Sequence, residues 1–191
     1  AGDYTGGLAG EINATNLSAV TSSLSTAGLN FVGGIVGEAN NASTITNVST
    51  SGNITVSTAS TKIGGLVGYL LNSELTTTSN FTASITASSS DEVGGVVGNM
   101  ENSTLASFNP TPNAIAGNNQ VGGVVGLALN SSIENIDVVF TSINANNQVG
   151  GIVGLFDQST VTNVSSLFNA LENNEITAND QVGGVFGRVQ G

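Results

Sequence analysis

The sequence has no cysteine, no histidine and no tryptophan, and only two of its 191 residues are basic. Without cysteine, disulfide bonds and thiolate metal sites are excluded, and without histidine the commonest catalytic base and metal ligand is missing. Thirteen acidic residues give a formal net charge of -11. The chain has almost no basic side chain that could bind phosphate groups, so we predict that it binds neither nucleic acid nor an anionic membrane surface.

Charge of either sign and long hydrophobic runs are also scarce. Charged residues make up 8% of the chain, whereas hydrophobic residues make up 39%, which is enough for a core and excludes a highly charged disordered tail. The longest apolar run covers residues 121–129. A membrane-spanning helix needs roughly eighteen apolar residues, so no membrane insertion is expected.

Glycine, by contrast, is abundant and regularly placed. The pattern Gly-Gly-x-x-Gly occurs seven times at spacings of 27 to 33 residues, so the chain is a tandem repeat. Short runs rich in Val, Ile and Thr lie between the motifs, and no segment keeps the apolar period of an amphipathic helix. The motifs fall at Gly6/Gly7/Gly10, Gly33/Gly34/Gly37, Gly64/Gly65/Gly68, Gly94/Gly95/Gly98, Gly122/Gly123/Gly126, Gly150/Gly151/Gly154 and Gly183/Gly184/Gly187.

These features predict an all-β fold, a parallel β-solenoid of about six coils plus a partial seventh, with about thirty residues per coil. One repeat is too small to bury a face alone, so the coils must stack at about 4.7–4.9 Å and form a single domain over residues 1–191. The sequence leaves the handedness open. Glycine at the same place in every coil indicates a structural corner, where φ is positive or where backbones approach too closely for a Cβ atom.

Other positions repeat with the glycines. An Asn-Ser step, as in Asn72-Ser73 and Asn102-Ser103, follows the motif and is expected to stack into a ladder of side-chain hydrogen bonds. An apolar residue follows that step in each repeat and is expected to line the core. This column consists of Leu17, Ile45, Leu75, Leu105, Ile133 and Val161.

The segments Val-Gly-Gly-Ile-Val-Gly (32 to 37), Ile-Gly-Gly-Leu-Val-Gly (63 to 68) and Val-Gly-Gly-Val-Val-Gly (93 to 98) resemble the GLUG motif. That motif occurs in tandem in large bacterial surface proteins, including filamentous-haemagglutinin-like adhesins. The resemblance covers nearly the whole chain and implies an extracellular β-solenoid segment. It transfers no catalytic or ligand-binding residue, because the shared positions are structural glycines and core aliphatics.

No arrangement of residues predicts catalysis or a cofactor. A serine nucleophile would need Lys62 or a carboxylate as its base, and neither has a motif around it. Glu101 and Asp157 occupy one position in repeats two coils apart, about 9–10 Å on the strand spacing, which leaves a carbohydrate-active enzyme as an alternative. The acidic residues show no calcium-binding spacing, so no metal site is predicted.

Ice binding is a second alternative, since it needs a flat face with threonine columns. Two outward columns beside the core column contain Thr-x-Thr at Thr44/Thr46 and Thr160/Thr162, but Glu74 and Glu134 interrupt them. The β-propensity of threonine explains these residues equally well.

The sequence allows two orientations for a further apolar column, with its side chains either on the surface or in the core. If strand alternation continues through the glycine motif, Val36, Val67, Val97, Val125, Val153 and Phe186 point outward as an apolar association stripe, extended by residues such as Tyr69, Leu127 and Leu155. If the glycines form a corner or bulge that resets the alternation, both columns are buried, and this is the interpretation we prefer.

Together these observations favour a non-catalytic, extracellular structural module of a bacterial surface adhesin or filament. We expect it to act as a rigid spacer, or as an adhesive or self-assembling segment. Its expected partners are other copies of itself or flanking repeats, bound through open coil ends, and host or surface glycans. The secreted location rests on the resemblance and on the acidic, weakly charged composition.

Overall fold

The computed structural model describes residues 2–76, 81–168 and 176–191, and within them the regular structure is entirely parallel β-strand without a helix. The predicted parallel β-solenoid, of about six turns, is confirmed. We number the coils one to seven by the glycine motif that each contains. Sheet 1 consists of Thr5–Gly6, Val32–Gly33, Thr61–Gly64, Asp91–Gly94, Asn119–Gly122, Asn147–Gly150 and Asp180–Gly183. Sheet 2 consists of Ala9–Asn13, Val36–Asn40, Val67–Leu71, Val97–Glu101, Val125–Leu129, Val153–Asp157 and Phe186–Gln190.

Three further sheets complete the coils. Each neighbour in a sheet comes from the adjacent coil, so the strands stack strictly in repeat order. Sheet 3 consists of Asn16–Ser18, Thr44–Thr46, Glu74–Thr76, Thr104–Phe108, Ser132–Phe140 and Thr160–Phe168. Sheet 4 consists of Ile54–Thr55, Ile85–Thr86, Ala114–Ala116, Ser142–Asn144 and Ile176–Thr177, and sheet 5 of Thr21–Ser22 and Ser49–Thr50.

The core is made of aliphatic columns that run along the solenoid axis. The column predicted from Leu17 to Val161 is paired residue by residue in sheet 3, and its four inner members are fully buried. Large aromatic side chains fill the wider part of the interior, where Phe81, Phe108 and Phe140 are almost completely inaccessible. A second column is expected three residues after the first, at Val20, Val48, Thr78, Phe108, Ile136 and Val164, and its one polar member, Thr78, lies outside the described residues.

The predicted glycine corners divide into three different positions of the coil. The first glycine of each motif ends a sheet 1 strand, at Gly33, Gly64, Gly94, Gly122 and Gly150 in coils two to six. The second lies in the sharp bend between sheets 1 and 2, at Gly34, Gly65, Gly95, Gly123 and Gly151. The third is the second residue of a sheet 2 strand and not a corner, which corrects the prediction for Gly37, Gly68, Gly98, Gly126 and Gly154.

Close approach of backbones, and not positive φ, explains the first two glycines of the motif. A Cβ atom on Gly64 would lie 1.9 Å from the carbonyl oxygen of Val67 in the same bend. One on Gly34 would lie 2.3 Å from the carbonyl oxygen of Gly65 in the next coil. No glycine of the seven motifs has φ in the left-handed region, so of the two predicted reasons for glycine only close approach applies.

The third glycine is required although it lies inside a strand, because its missing side chain faces the backbone of the preceding coil. The shortest distances from added Cβ atoms to that coil are 2.3–2.6 Å at these five positions. A Cβ atom added to Gly37 would lie 2.5 Å from the Gly10 oxygen, and one added to Gly68 would lie 2.6 Å from the Gly37 oxygen. A Cβ atom added to Gly126 would lie 2.5 Å from the Gly98 oxygen, and one added to Gly154 would lie 2.4 Å from the Gln120 carbonyl carbon.

Left-handed φ values occur instead at other corners, mostly at asparagine and glutamine. Asn72, Asn102 and Asn130 have φ near +47°, and glutamine takes the same place at Gln158. The following serines form the predicted ladder: the backbone N–H of Ser73 donates to the Ser103 hydroxyl oxygen at 3.1 Å, and the same contact recurs from coil to coil. Asparagine tolerates this backbone conformation better than most residues, which explains its abundance at corners.

Candidate functional site on the lateral faces

The corner that precedes each glycine bend carries one outward side chain per coil, two residues before the first glycine. In coils two and three these residues are Phe31 and Lys62, both with left-handed φ. Tyr4 stacks on Phe31 with ring centroids 4.8 Å apart, and the Lys62 ammonium lies 5.5 Å from the Phe31 ring and 5.1 Å from the Tyr69 ring. Both tyrosines of the chain and one of its two basic residues therefore meet on one face.

Carboxylates surround this aromatic cluster. The Lys62 ammonium lies 3.2 Å from Glu92, and the Tyr69 hydroxyl donates a hydrogen bond of 2.7 Å to Glu101. Burial raises the pKa of Tyr69 well above its usual value, and the hydrogen bond to Glu101 and the negative charges of Glu101, Glu38 and Glu92 raise this pKa further. The Lys62 ammonium and the Tyr69 hydroxyl therefore both have partners within the protein.

The same corner carries glutamine in coils five to seven, and in coils five and six two asparagines come directly before it. Asn146 donates to Asn118 at 2.6 Å, and Asn118 donates in turn to the Asp91 carboxylate at 2.9 Å. A second ladder runs from Asn147 to Asn119 at 2.8 Å and ends on the same Asp91 oxygen. Both ladders donate towards the N-terminal coils and terminate on one carboxylate.

The alternative of an outward-facing association stripe is corrected by the structure, which buries this column as the preferred interpretation expected. Its residues in coils two to six are completely buried, and Phe186 in coil seven is half-buried. The bend at the second glycine and the following residue resets the strand alternation, so both apolar columns face inward. The buried residues are Val36, Val67, Val97, Val125 and Val153.

Beyond the Thr-x-Thr face, the strands of sheet 3 border a lateral groove. Ser107, Asn135 and Asn163 have φ values of 60°, 54° and 53°, and at each of them the strand kinks at the same position of its coil. These kinks border an open groove of about 500 Å³, whose lining also includes Asp137 and Ser165. This groove was not predicted from the sequence, although the asparagines at 135 and 163 stand one repeat apart.

The carboxylate pair considered for catalysis is separated by a leucine. Strand pairing places Leu129 between Glu101 and Asp157 in one column. Each acid has its own partner: Glu101 accepts from Tyr69, and Asp157 accepts from the Gln190 amide at 2.9 Å. The pair therefore does not share a cleft that would hold a substrate between the two carboxylates.

The threonine face is in register, but three of its hydroxyls are hydrogen-bonded within the protein. Thr44 donates to Asn16 at 2.6 Å, Thr76 donates to Glu74 at 2.6 Å, and Thr160 lies 3.2 Å from the Ser132 hydroxyl. These bonds and the two glutamates break the uniform hydroxyl array that ice binding would use.

Two features are absent from the described residues. These residues contain no helix with the length and hydropathy of a membrane-spanning segment. They also contain no group of three or more acidic side chains placed to hold one metal ion.

Comparison with protein families identifies the repeat. The GLUG motif matches residues 117–144. This GLUG stretch is one coil of the solenoid, from just before the sheet 1 strand Asn119–Gly122 to the end of the sheet 4 strand Ser142–Asn144. No curated protein and no solved structure matches the chain. The GLUG match and the β-solenoid fold together fit a structural repeat module.

Proposed function

We propose that the chain is a non-catalytic spacer module of a bacterial surface adhesin or filament, acting outside the cell. The observation that carries this proposal is the in-register stacking of two seven-stranded parallel sheets around one continuous aliphatic core. With one strand per coil, the first and last strands of sheet 1 are about 30 Å apart. Length is then set simply by the number of repeats, which is what a spacer requires.

Coil duplication tests this role. Residues 122–149 form one repeat from motif to motif, and a second copy inserted directly after residue 149 should continue every column. We expect each inserted copy to lengthen the particle by about 4.8 Å in small-angle scattering without lowering the melting temperature. An insertion that unfolds the chain, or that leaves its maximum dimension unchanged, would contradict the spacer role.

Coil ends are the proposed contact with a second copy or with flanking repeats. A Cβ atom on the second glycine of coils one to six would lie 2.0–2.3 Å from the carbonyl oxygen of the corresponding glycine in the next coil, whereas one on Gly184 meets nothing within 4 Å. Large hydrophobic side chains with high exposure also lie in the first coil and the last two. They are Tyr4, Leu8, Leu24, Leu29, Leu167, Val182 and Val189.

A valine at position 184 should block a following coil without disturbing the coils before it. We expect Gly184→Val to leave the melting temperature of the chain unchanged but to abolish concentration-dependent association in sedimentation. In a chain extended by a further repeat, the same substitution should be strongly destabilising, because the β-branched side chain would meet the added coil. Equal tolerance in both chains would exclude stacking through this edge.

A further inference from the structure

The lateral groove of sheet 3 presents both hydrogen-bond donors and acceptors. The Asn163 amide donates to the Asn135 oxygen at 2.9 Å, and the Ser165 hydroxyl donates to Asp137. These bonds fix the side chains but leave both amide hydrogens of Asn135, one amide hydrogen of Asn163 and one oxygen of Asp137 without a partner among the described residues. A ligand made of hydroxyl groups, which donate and accept, uses both kinds of group.

One end of the groove has unused hydrogen-bonding capacity. Ser107 and Asn109, contributed by coil four, are exposed, and their side chains form no hydrogen bond to the other described residues. Asn109, Asp137 and Ser165 follow one another in three successive coils, at about 4.8 Å per step. An extended ligand lying along the solenoid axis would therefore meet a polar side chain at each step.

The groove also has an apolar floor. Ile136 belongs to the buried core beneath the groove, so the accessible apolar side chain of the floor is Val164, which is half-buried and packs against that core. A pyranose ring has polar edges and a face of C–H groups, so it matches a surface that combines an aliphatic floor with amide and carboxylate walls.

Charge narrows the ligand class further. The groove contains one carboxylate and no basic residue, and Lys62, which is paired with Glu92, and Arg188 of sheet 2 lie outside its lining. On a chain of net charge -11, an anionic ligand would be repelled. We infer that the groove binds a neutral saccharide chain along the solenoid axis, a role that does not depend on the spacer function.

Nitrogen-15 NMR of the whole chain tests this inference, with cellotetraose, maltotetraose, mannotetraose and N-acetylchitotetraose as probes and tetragalacturonate as the anionic comparison. We expect at least one neutral probe to give saturable shifts of the Asn109, Asn135 and Asn163 side-chain amides below about 20 mM. The Asn109→Ala/Asp137→Ala variant should weaken this binding at least about tenfold, because it removes two polar contacts. Both positions are exposed and neither has left-handed φ, so the fold should be retained.

Asp180→Ala is the matched control, since Asp180 is an exposed acid on sheet 1 outside the groove lining. It should bind the neutral probe as the unaltered chain does. The inference is overturned if none of the four neutral probes gives a saturable shift, if the double variant binds as tightly as the control, or if tetragalacturonate binds more tightly than the neutral chains.

Discussion

Coils two to four and coils five to seven use the same corner position in opposite ways. In the former, Phe31, Lys62 and Glu92 follow one another, so a ring, a cation and an anion form unlike pairs. In the latter, the corner carries glutamine in each coil and is flanked by asparagine ladders. An amide both donates and accepts, so it can stack on its own kind, whereas a charge needs a different neighbour one coil away.

The glycine bend is shared by both regions, and altering it should have the largest effect. A Cβ on Gly123 would lie 2.2 Å from the carbonyl oxygen of Gly151, which belongs to the next coil and cannot move alone. We expect Gly123→Ala to cost about 3 kcal/mol or more in denaturant unfolding. Gly184→Ala is the control at the equivalent position, where a Cβ meets nothing, and should change stability by less than about 0.5 kcal/mol. Similar losses in both variants would mean that inter-coil contact is not the reason for glycine.

Reversing the charge of Lys62 would break the alternation in coils two to four. Lys62→Glu removes the 3.2 Å ion pair and places two carboxylates in adjacent coils, and both side chains are largely buried. We expect a loss of about 2 kcal/mol at low ionic strength that becomes smaller as NaCl is added.

Lys62→Gln is the matched control, because it installs the residue type that coils five to seven carry at this corner. It should cost less than about 1 kcal/mol and show little salt dependence. If the glutamate and glutamine variants were equally destabilised at every salt concentration, the aromatic contacts of the lysine stem would explain the loss, and charge alternation would not.

The sequence predicts this fold well because each coil repeats the same columns. The period of Gly-Gly-x-x-Gly, the serine step and the core column from Leu17 to Val161 each correspond to one feature of the structure. Strand alternation alone could not show whether the side chains of the column containing Val67 point inward or outward. The bend at the glycines interrupts the alternation, and these side chains are buried. The groove was missed because the left-handed φ of Asn135 and Asn163 bends the strand without any glycine to mark it.

The aromatic cluster was missed for a different reason. Phe31, Lys62 and Glu92 differ in chemistry, so a search for identical residues in a column passes over them. Their pairing depends on contacts between adjacent coils and with Tyr69, seven residues after Lys62. Aligning the repeats and asking whether neighbouring residues in a column are complementary, instead of identical, would have revealed it.

Alkaline pH should weaken coils two to four through Tyr69. The raised pKa keeps its phenol protonated in the folded chain, while the unfolded chain loses this proton near pH 10. The stability that this group contributes is therefore complete below about pH 10 and decreases as the pH rises above it, by at most about 1.4 kcal/mol per pH unit.

Denaturant unfolding between about pH 9 and pH 11 measures this loss. Tyr69→Phe should reduce the pH dependence, whereas the control Tyr4→Phe leaves the Tyr69 phenol and its bond to Glu101 in place and should retain it. An unchanged slope in Tyr69→Phe would assign the alkaline loss to other groups.

Asp180→Asn should give the smallest effect, and in the opposite direction. In the ladder of coils five to seven, Asn147 donates to Asn119 at 2.8 Å, but the next residue of the column is Asp180, which cannot donate to the Asn147 oxygen. An asparagine there could donate while still accepting from the backbone N–H of Gln181, as Asp180 does at 2.8 Å. We expect a gain of about 0.5–1 kcal/mol in unfolding free energy. Asp157→Asn removes the same charge outside the ladder, so an equal gain in that variant would attribute the effect to net charge and not to completion of the amide ladder.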